Sequence, residues 1–295
     1  RAAACTLSQI ASPEFDKYAK RIAILLCYKQ YPKVRTYCIT AIEKLANPSC
    51  ITPLILSSIH FRPHEKALVE QLVLGFGVEI APTLLKIIES DKKHDRCRLL
   101  AGRILVKMKR SLLKENLVPV LRKEIDRAYF YFFHAHTVQQ QIPEQNLSIL
   151  SDALITGYHS VVDLMIQLIG TANSIEECEV LARSLRSKNR KTRAHALETL
   201  EKASPQKMFQ LIEPLLDEDL IQPKLDRFLK KGGIPLNVTQ LLDKMAASPS
   251  PTDQIVSLGL KAKLQMPNWK EAIHDKLDSE EEILNHFAEE LLEVF

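Results

Sequence analysis

The chain has 295 residues, 46% of them hydrophobic and 26% charged, the proportions of a folded globular protein rather than a disordered one. Forty basic against thirty-six acidic side chains leave a formal charge of +4, too small to imply a nucleic-acid partner by itself. Eight glycines are few for this length, which weighs against sandwiches, barrels and glycine-rich phosphate loops, while fifteen spaced prolines suit punctuated helices.

The thiols and the N-terminal stretch bound the setting. Cys5, Cys27, Cys38, Cys50, Cys97 and Cys178 lie far apart with no CxxC pair, so reduced cysteines in a cytoplasm fit better than disulfides or zinc. The apolar run Ile22–Tyr28 is far short of the ~20 residues that cross a bilayer, and no signal peptide is visible. The chain opens on Arg1 rather than methionine, which fits a piece of a longer protein.

In chain order, the predicted elements repeat a theme. Val34-Arg35 opens an apolar helix through Leu45, followed by Ile51-Thr52-Pro53-Leu54-Ile55. Lys66 opens a weaker copy through Phe76, followed by Ala81-Pro82-Thr83-Leu84-Leu85. Arg98 opens a third through Met108, followed by Leu117-Val118-Pro119-Val120-Leu121. Thr192-Arg193 opens a fourth through Leu200, followed by Ile212-Glu213-Pro214-Leu215-Leu216. Each predicts a helix opened by a base, a break, and then a helix led by proline, whose missing N–H has no partner in a first turn anyway. The bases at 35, 66, 98 and 193 are 31, 32 and 95 residues apart, and 95 is close to three further steps. Roughly nine such units would absorb the whole chain.

This pattern resembles the HEAT repeat. The resemblance implies an all-α fold, a right-handed α-solenoid of about nine helical hairpins with no β-sheet, in which stacked units share one core. The expectation is a single domain over 1–295: regular repeats at 20–125, longer irregular helices at 126–170, repeats at 171–216, a bend at 217–240, and C-terminal repeats with an acidic helix at 241–295. Pro223, Gly232-Gly233 and Pro235 mark the bend, and Trp269 reads as a staple at a helix start. The last stretch, Asp275–Phe295, sets eight carboxylates against one lysine around Ile283, Leu284, Phe287, Leu291 and Leu292. That spacing predicts an amphipathic helix.

A closer resemblance runs from Leu147 to Pro205. Ser151-Asp152-Ala153-Leu154, Val161-Val162-Asp163-Leu164-Met165, Ser174-Ile175-Glu176-Glu177, Leu185-Arg186-Ser187 and Thr192–Leu200 follow in order. The series is similar to the soluble HEAT-like region of bacterial proteins that carry an ATP/ADP-antiporter-like membrane domain. It departs from that pattern at His195, where asparagine is common, and at Lys188-Asn189-Arg190. The resemblance implies a cytoplasmic domain tethered to the inner membrane by other parts of its parent chain.

No catalytic signature is found: Gly75-Phe76-Gly77 lacks its third glycine, and Walker A, HExxH, GxSxG and EF-hand patterns are absent. The expectation is a non-catalytic protein-interaction or regulatory scaffold, with no cofactor, metal or small-molecule substrate. Arg35, Arg98 and Arg193, with Pro53, Pro82, Pro119 and Pro214, are read as structural residues of repeat stacking. The aromatic run Tyr129-Phe130-Tyr131-Phe132-Phe133, with His134 and His136 two apart, is read as packing in a thick part of the stack, since such a spacing does not bring two imidazoles together on a helix.

Charges also segregate. Lys92–Arg122 carries ten bases against Asp95 and Glu115, and Arg183–Arg193 carries six bases and no acid. Arg186, Lys188, Arg190 and Lys191 straddle a predicted inter-helix loop and are the candidate interaction surface, facing a protein partner or an anionic membrane. The alternative is a HEAT-like DNA-binding or DNA-repair glycosylase module, with the 92–122 bases on phosphates and an aromatic-acid pocket for an extruded base. The modest charge and single tryptophan disfavour it. A chromophore lyase of HEAT-like type ranks below both, because nothing marks a tetrapyrrole site.

Overall fold

The computed structural model describes residues 2–26, 32–143, 145–175, 177–217, 220–277, 279 and 282–294. Arg1, Cys27, Tyr28, Glu176 and Phe295, all named above, lie outside the described residues. The all-α expectation is met: among the described residues the chain is helical, without a strand. The helices are α1 (Ala2–Ile10), α2 (Ala19–Leu25), α3 (Pro32–Leu45), α4 (Ile51–Ser57), α5 (Pro63–Gly75), α6 (Ala81–Glu89), α7 (Asp95–Gln141) and α8 (Ser148–Asn173). They continue with α9 (Cys178–Leu185), α10 (Arg190–Ala203), α11 (Gln206–Leu216), α12 (Ile221–Lys230), α13 (Val238–Ala246), α14 (Pro251–Lys263), α15 (Trp269–Leu277) and α16 (Glu282–Val294).

Local chemistry sets the helix ends. Asn189 Oδ1 accepts from Lys191 N at 2.9 Å, Asn237 and Gln240 form a capping box, and Ser250 caps α14. With so few glycines, the chain uses other residues in the left-handed region: Ala46 after α3, Ser174 after α8 and Gln265 after α14. Helix α12, inside the expected bend, ends instead on glycine. Gly232 has φ +79° and donates to Leu229 O, and Gly233 donates to Phe228 O at 2.9 Å, the paired bonds of a Schellman stop.

The chain divides into two compact units, Arg1–Leu113 with Ser279–Asn285, and Lys114–Asp278 with His286–Phe295. In the first, helices pack on those two places further along: α1 on α3, α2 on α4, α3 on α5 and α4 on α6. Arg35 on α3 and Glu65 on α5 form a buried ion pair, Nε to Oε1 at 2.8 Å, and Glu65 Oε2 also accepts from Arg62 N at 2.7 Å. In the second unit α8 packs against α9, α11 and α14, and α13 pairs with α14. Among the described residues α8 is the one single helix long and apolar enough to cross a membrane, and 61% of that window is buried.

Two prolines depart from the expected register. Pro82 is the second residue of α6 and Pro53 the third of α4, but Pro119 and Pro214 lie inside α7 and α11. The apolar period already running before each proline carries the helix across it: Leu113 and Leu117 in α7, continued by Val120 just after the proline, and Met208, Phe209 and Ile212 in α11, all buried. The carbonyls that lose a donor belong to Glu115 and Gln210, both exposed residues, so water can replace the bond and lower the usual penalty. The break expected before Pro119 falls instead at Lys109 (φ −152°, ψ 78°).

The aromatic run is mostly buried and ties α7 to distant segments. Tyr131 Oη donates to Asp253 Oδ2 at 2.7 Å, and Phe133 stacks on Phe228 with centroids 4.5 Å apart. His134 is fully buried, its Nδ1 2.8 Å from Phe130 O, while Leu236 N donates to Nε2 at 3.0 Å. A donor on Nε2 requires a lone pair there, so the proton sits on Nδ1 and the ring is neutral. Burial pushes the His134 pKa below its ordinary value, opposed by the Phe130 carbonyl and reinforced by the Lys244 charge. A base with a depressed pKa stabilises the fold above the ordinary histidine value and loses that contribution as pH falls through it. The melting temperature is therefore expected to fall between pH 7 and pH 5.5. His134→Gln, whose amide oxygen can accept from Leu236 without titrating, should flatten the slope; equal slopes would refute the assignment.

Candidate functional site

The second unit carries a half-open cavity of about 210 Å³. Phe132 and His136 enter it from α7, Tyr158 and Asp163 from α8, Leu185 and Arg186 from the end of α9, Leu215 from α11, and Ile221 and Lys224 from α12. Its volume is below the range usual for drug-sized ligands.

Lys224 is the unusual residue. It is 3% exposed, and Nζ donates to Leu215 O at 3.2 Å and to Tyr158 Oη at 3.3 Å. Tyr158 Oη itself donates to Leu215 O. That carbonyl belongs to the last turn of α11, where no intrahelical N–H reaches it and the helix dipole is negative, so an ammonium and a phenol are both favoured there. Nζ also lies 4.8 Å from the centroid of Phe132 and 5.5 Å from that of Tyr158, a cation against two ring faces. The signal was available in the sequence: Lys224 shares the buried stripe of α12 with Phe228, four residues on.

A second charged pair lines the wall. Arg186 Nη2 lies 2.9 Å from Asp163 Oδ2, with the arginine side chain 42% exposed and the aspartate 21%. Asp163 Oδ1 is buried with no hydrogen-bond partner. Burial pushes the Asp163 carboxyl above its ordinary value, and the Arg186 charge only partly opposes this. His136 stacks on Phe132 at 4.2 Å, with Nδ1 2.9 Å from Phe132 O. The carboxylate here is engaged by a guanidinium and stands with an ammonium in the same cavity.

The residues singled out in the sequence fall as follows. Lys66, Arg98 and Arg193 come three residues after the first residues of their helices, Pro63, Asp95 and Arg190, and Arg35 comes three after Pro32, the first described residue of α3. Arg98 is fully buried, donating from Nε to Ile88 O at 2.8 Å and pairing with Asp95; Arg193 is half-buried on α10. Lys188, Arg190 and Lys191 are exposed at the α9–α10 turn. Arg186 is exposed too, but its guanidinium turns to Asp163, so it belongs to the cavity wall as well as to the basic edge. Among the described residues no group of three His, Cys, Asp or Glu side chains could hold a metal ion.

No protein-family model, curated protein or solved structure matches the chain.

Proposed function

We propose that the chain is a non-catalytic interaction scaffold, a right-handed HEAT-type α-solenoid that docks through the basic edge at the α9–α10 turn. The observation that carries this reading is the shared register of Arg35, Lys66, Arg98 and Arg193, each three residues into its helix at steps of about 32 or a multiple of it. The packing of helices α1 to α6 on those two places further along supports it, because stacked hairpins make such contacts. In this reading the chain is the cytoplasmic part of a bacterial nucleotide-transporter-like membrane protein, as the resemblance over Leu147–Pro205 implies, and its basic edge faces an anionic leaflet.

Each base near such a surface contributes about 1 kcal/mol, fading within a Debye length of about 8–10 Å. Lys188, Arg190 and Lys191 together then supply about 3 kcal/mol, roughly a hundredfold in affinity. Arg186, held by Asp163, adds less. Co-sedimentation with vesicles is the test. Binding to phosphatidylglycerol-containing but not pure phosphatidylcholine vesicles is expected, lost in the triple variant Lys188→Glu, Arg190→Glu, Lys191→Glu and weakened by salt. Equal or absent binding to both lipids would remove the edge as a docking surface, and a salt-dependent shift with duplex DNA would favour the nucleic-acid alternative.

A further inference from the structure

The first unit carries an exposed basic face of its own. Its sequence holds nineteen Lys and Arg against twelve Asp and Glu, while the second unit holds twenty-one against twenty-four, so the chain's +4 conceals +7 beside −3. The buried Arg35–Glu65 pair sets the first turns of α3 and α5 side by side, and the Lys107–Glu70 pair ties α7 to α5. Lys33, His64 and Arg96 stand one residue after Pro32, Pro63 and Asp95 on these three helices, and Arg103 lies seven residues beyond Arg96 on the same stripe of α7. All four are exposed. Among the described residues no carboxylate pairs with Lys33, Arg96 or Arg103. Leu68, one turn past His64 on α5, is 39% exposed, and Leu99 and Val106 flank the α7 stripe half-buried.

We propose that this face docks an acidic amphipathic helix of a partner protein. Arginines and lysines without carboxylates of their own call for carboxylates, and their spacing says how those are carried. Seven helical residues separate Arg96 from Arg103, a rise of about 10 Å along α7. Carboxylates at i and i+7 of a docked helix recur at that same interval, so two helices lying side by side keep their charges in step. Lys33 and His64 extend the basic row across α3 and α5, at the ~8–10 Å that separates packed helices. Leu68, Leu99 and Val106 give the apolar residues of such a helix a place to bury, as when an amphipathic helix lies in a groove. Nucleic acid fits the face less well. Duplex phosphates recur every ~3.4 Å along a strand and offer these side chains nothing apolar. No aromatic ring on the three helices is exposed to stack the bases of a single strand.

Fluorescence anisotropy of the full chain with a labelled synthetic peptide tests the face. The probe is a helix of about three heptads with leucine on one side and glutamate beside it. It is expected to bind, more weakly as salt is raised. Its counterpart with glutamine for every glutamate should bind at least tenfold more weakly. Arg96→Gln with Arg103→Gln should weaken the acidic peptide at least tenfold, and Leu68→Ser severalfold; both sites are exposed, and thermal melts establish that the variants fold. The triple variant Lys188→Glu, Arg190→Glu, Lys191→Glu should leave peptide affinity unchanged, which separates this face from the α9–α10 edge. Absence of binding by the folded wild-type chain would overturn the proposal. So would a glutamine peptide that binds as tightly, an affinity unchanged in Arg96→Gln with Arg103→Gln, or a mixed-sequence DNA duplex that binds the face more tightly than the peptide.

Discussion

Glu65→Ala is expected to destabilise the first unit by about 3–5 kcal/mol, the usual cost of removing one partner from a buried ion pair. The carboxylate is fully buried and accepts from Arg35 Nε at 2.8 Å, Arg35 Nη2 at 3.1 Å and Arg62 N at 2.7 Å. Its removal leaves the Arg35 guanidinium, 8% exposed, without its carboxylate partner, and leaves the α5 N-cap N–H without this acceptor. Arg35→Met with Glu65→Met should recover most of the loss, because the desolvation of two charges disappears together with their attraction. Burial pushes the Glu65 carboxyl up, but the hydrogen bonds from Arg35 and Arg62 and the Arg35 charge outweigh it and hold the pKa below the ordinary value. A depressed carboxyl pKa stabilises the fold above the ordinary value of 4.5 and loses that contribution as pH falls below it. Urea melts at pH 7 and pH 3.5 measure both effects. The single variant should lose most at pH 7 and less at pH 3.5, and a double variant as unstable as the single one would refute the pair's role.

What the sequence made legible follows from the range of each interaction. The register of Arg35, Lys66, Arg98 and Arg193 could be read because a base three residues into a helix leaves a local, periodic trace. The turn carrying Lys188, Arg190 and Lys191 was legible for the same reason: Asn189 is a capping residue just before a helical stripe. The positions of Pro119 and Pro214 were not. Their helices begin well before them, and nothing local distinguishes a proline at a helix start from one carried across by buried neighbours. The cavity was the least legible feature. Lys224 reaches Tyr158 from 66 residues away, and Asp163 meets Arg186 across the turn between α8 and α9. Arg186 reads as surface charge until the fold brings α9 against α8, and Lys224 is marked only by its place four residues before Phe228 on the buried stripe of α12.

Phe133→Ala is expected to cost the second unit about 3–5 kcal/mol, the range for emptying a buried phenylalanine site. Five successive aromatics on one helix point around its whole circumference, so the run must meet more than one neighbour. Phe132 faces Tyr158 on α8 at 5.2 Å, Tyr131 reaches Asp253 on α14, and Phe133 lies on Phe228 of α12 at an interplanar angle of 27°. Phe228 is itself 6% exposed, sits edge-on to His134 at 5.6 Å, and occupies the space into which a Cβ on Gly233 would project. The stack therefore holds α12 and its Schellman stop against α7, and through α12 it fixes Lys224 in the cavity. A double-mutant cycle with Phe133→Leu and Phe228→Leu separates the ring–ring contribution from the buried area. A coupling of about 0.5–1.5 kcal/mol is expected for an offset aromatic pair. A Phe133→Ala chain that melts with the wild type would show that the run is not the joint between α7 and α12. A coupling near zero would leave burial alone as the source of its stability.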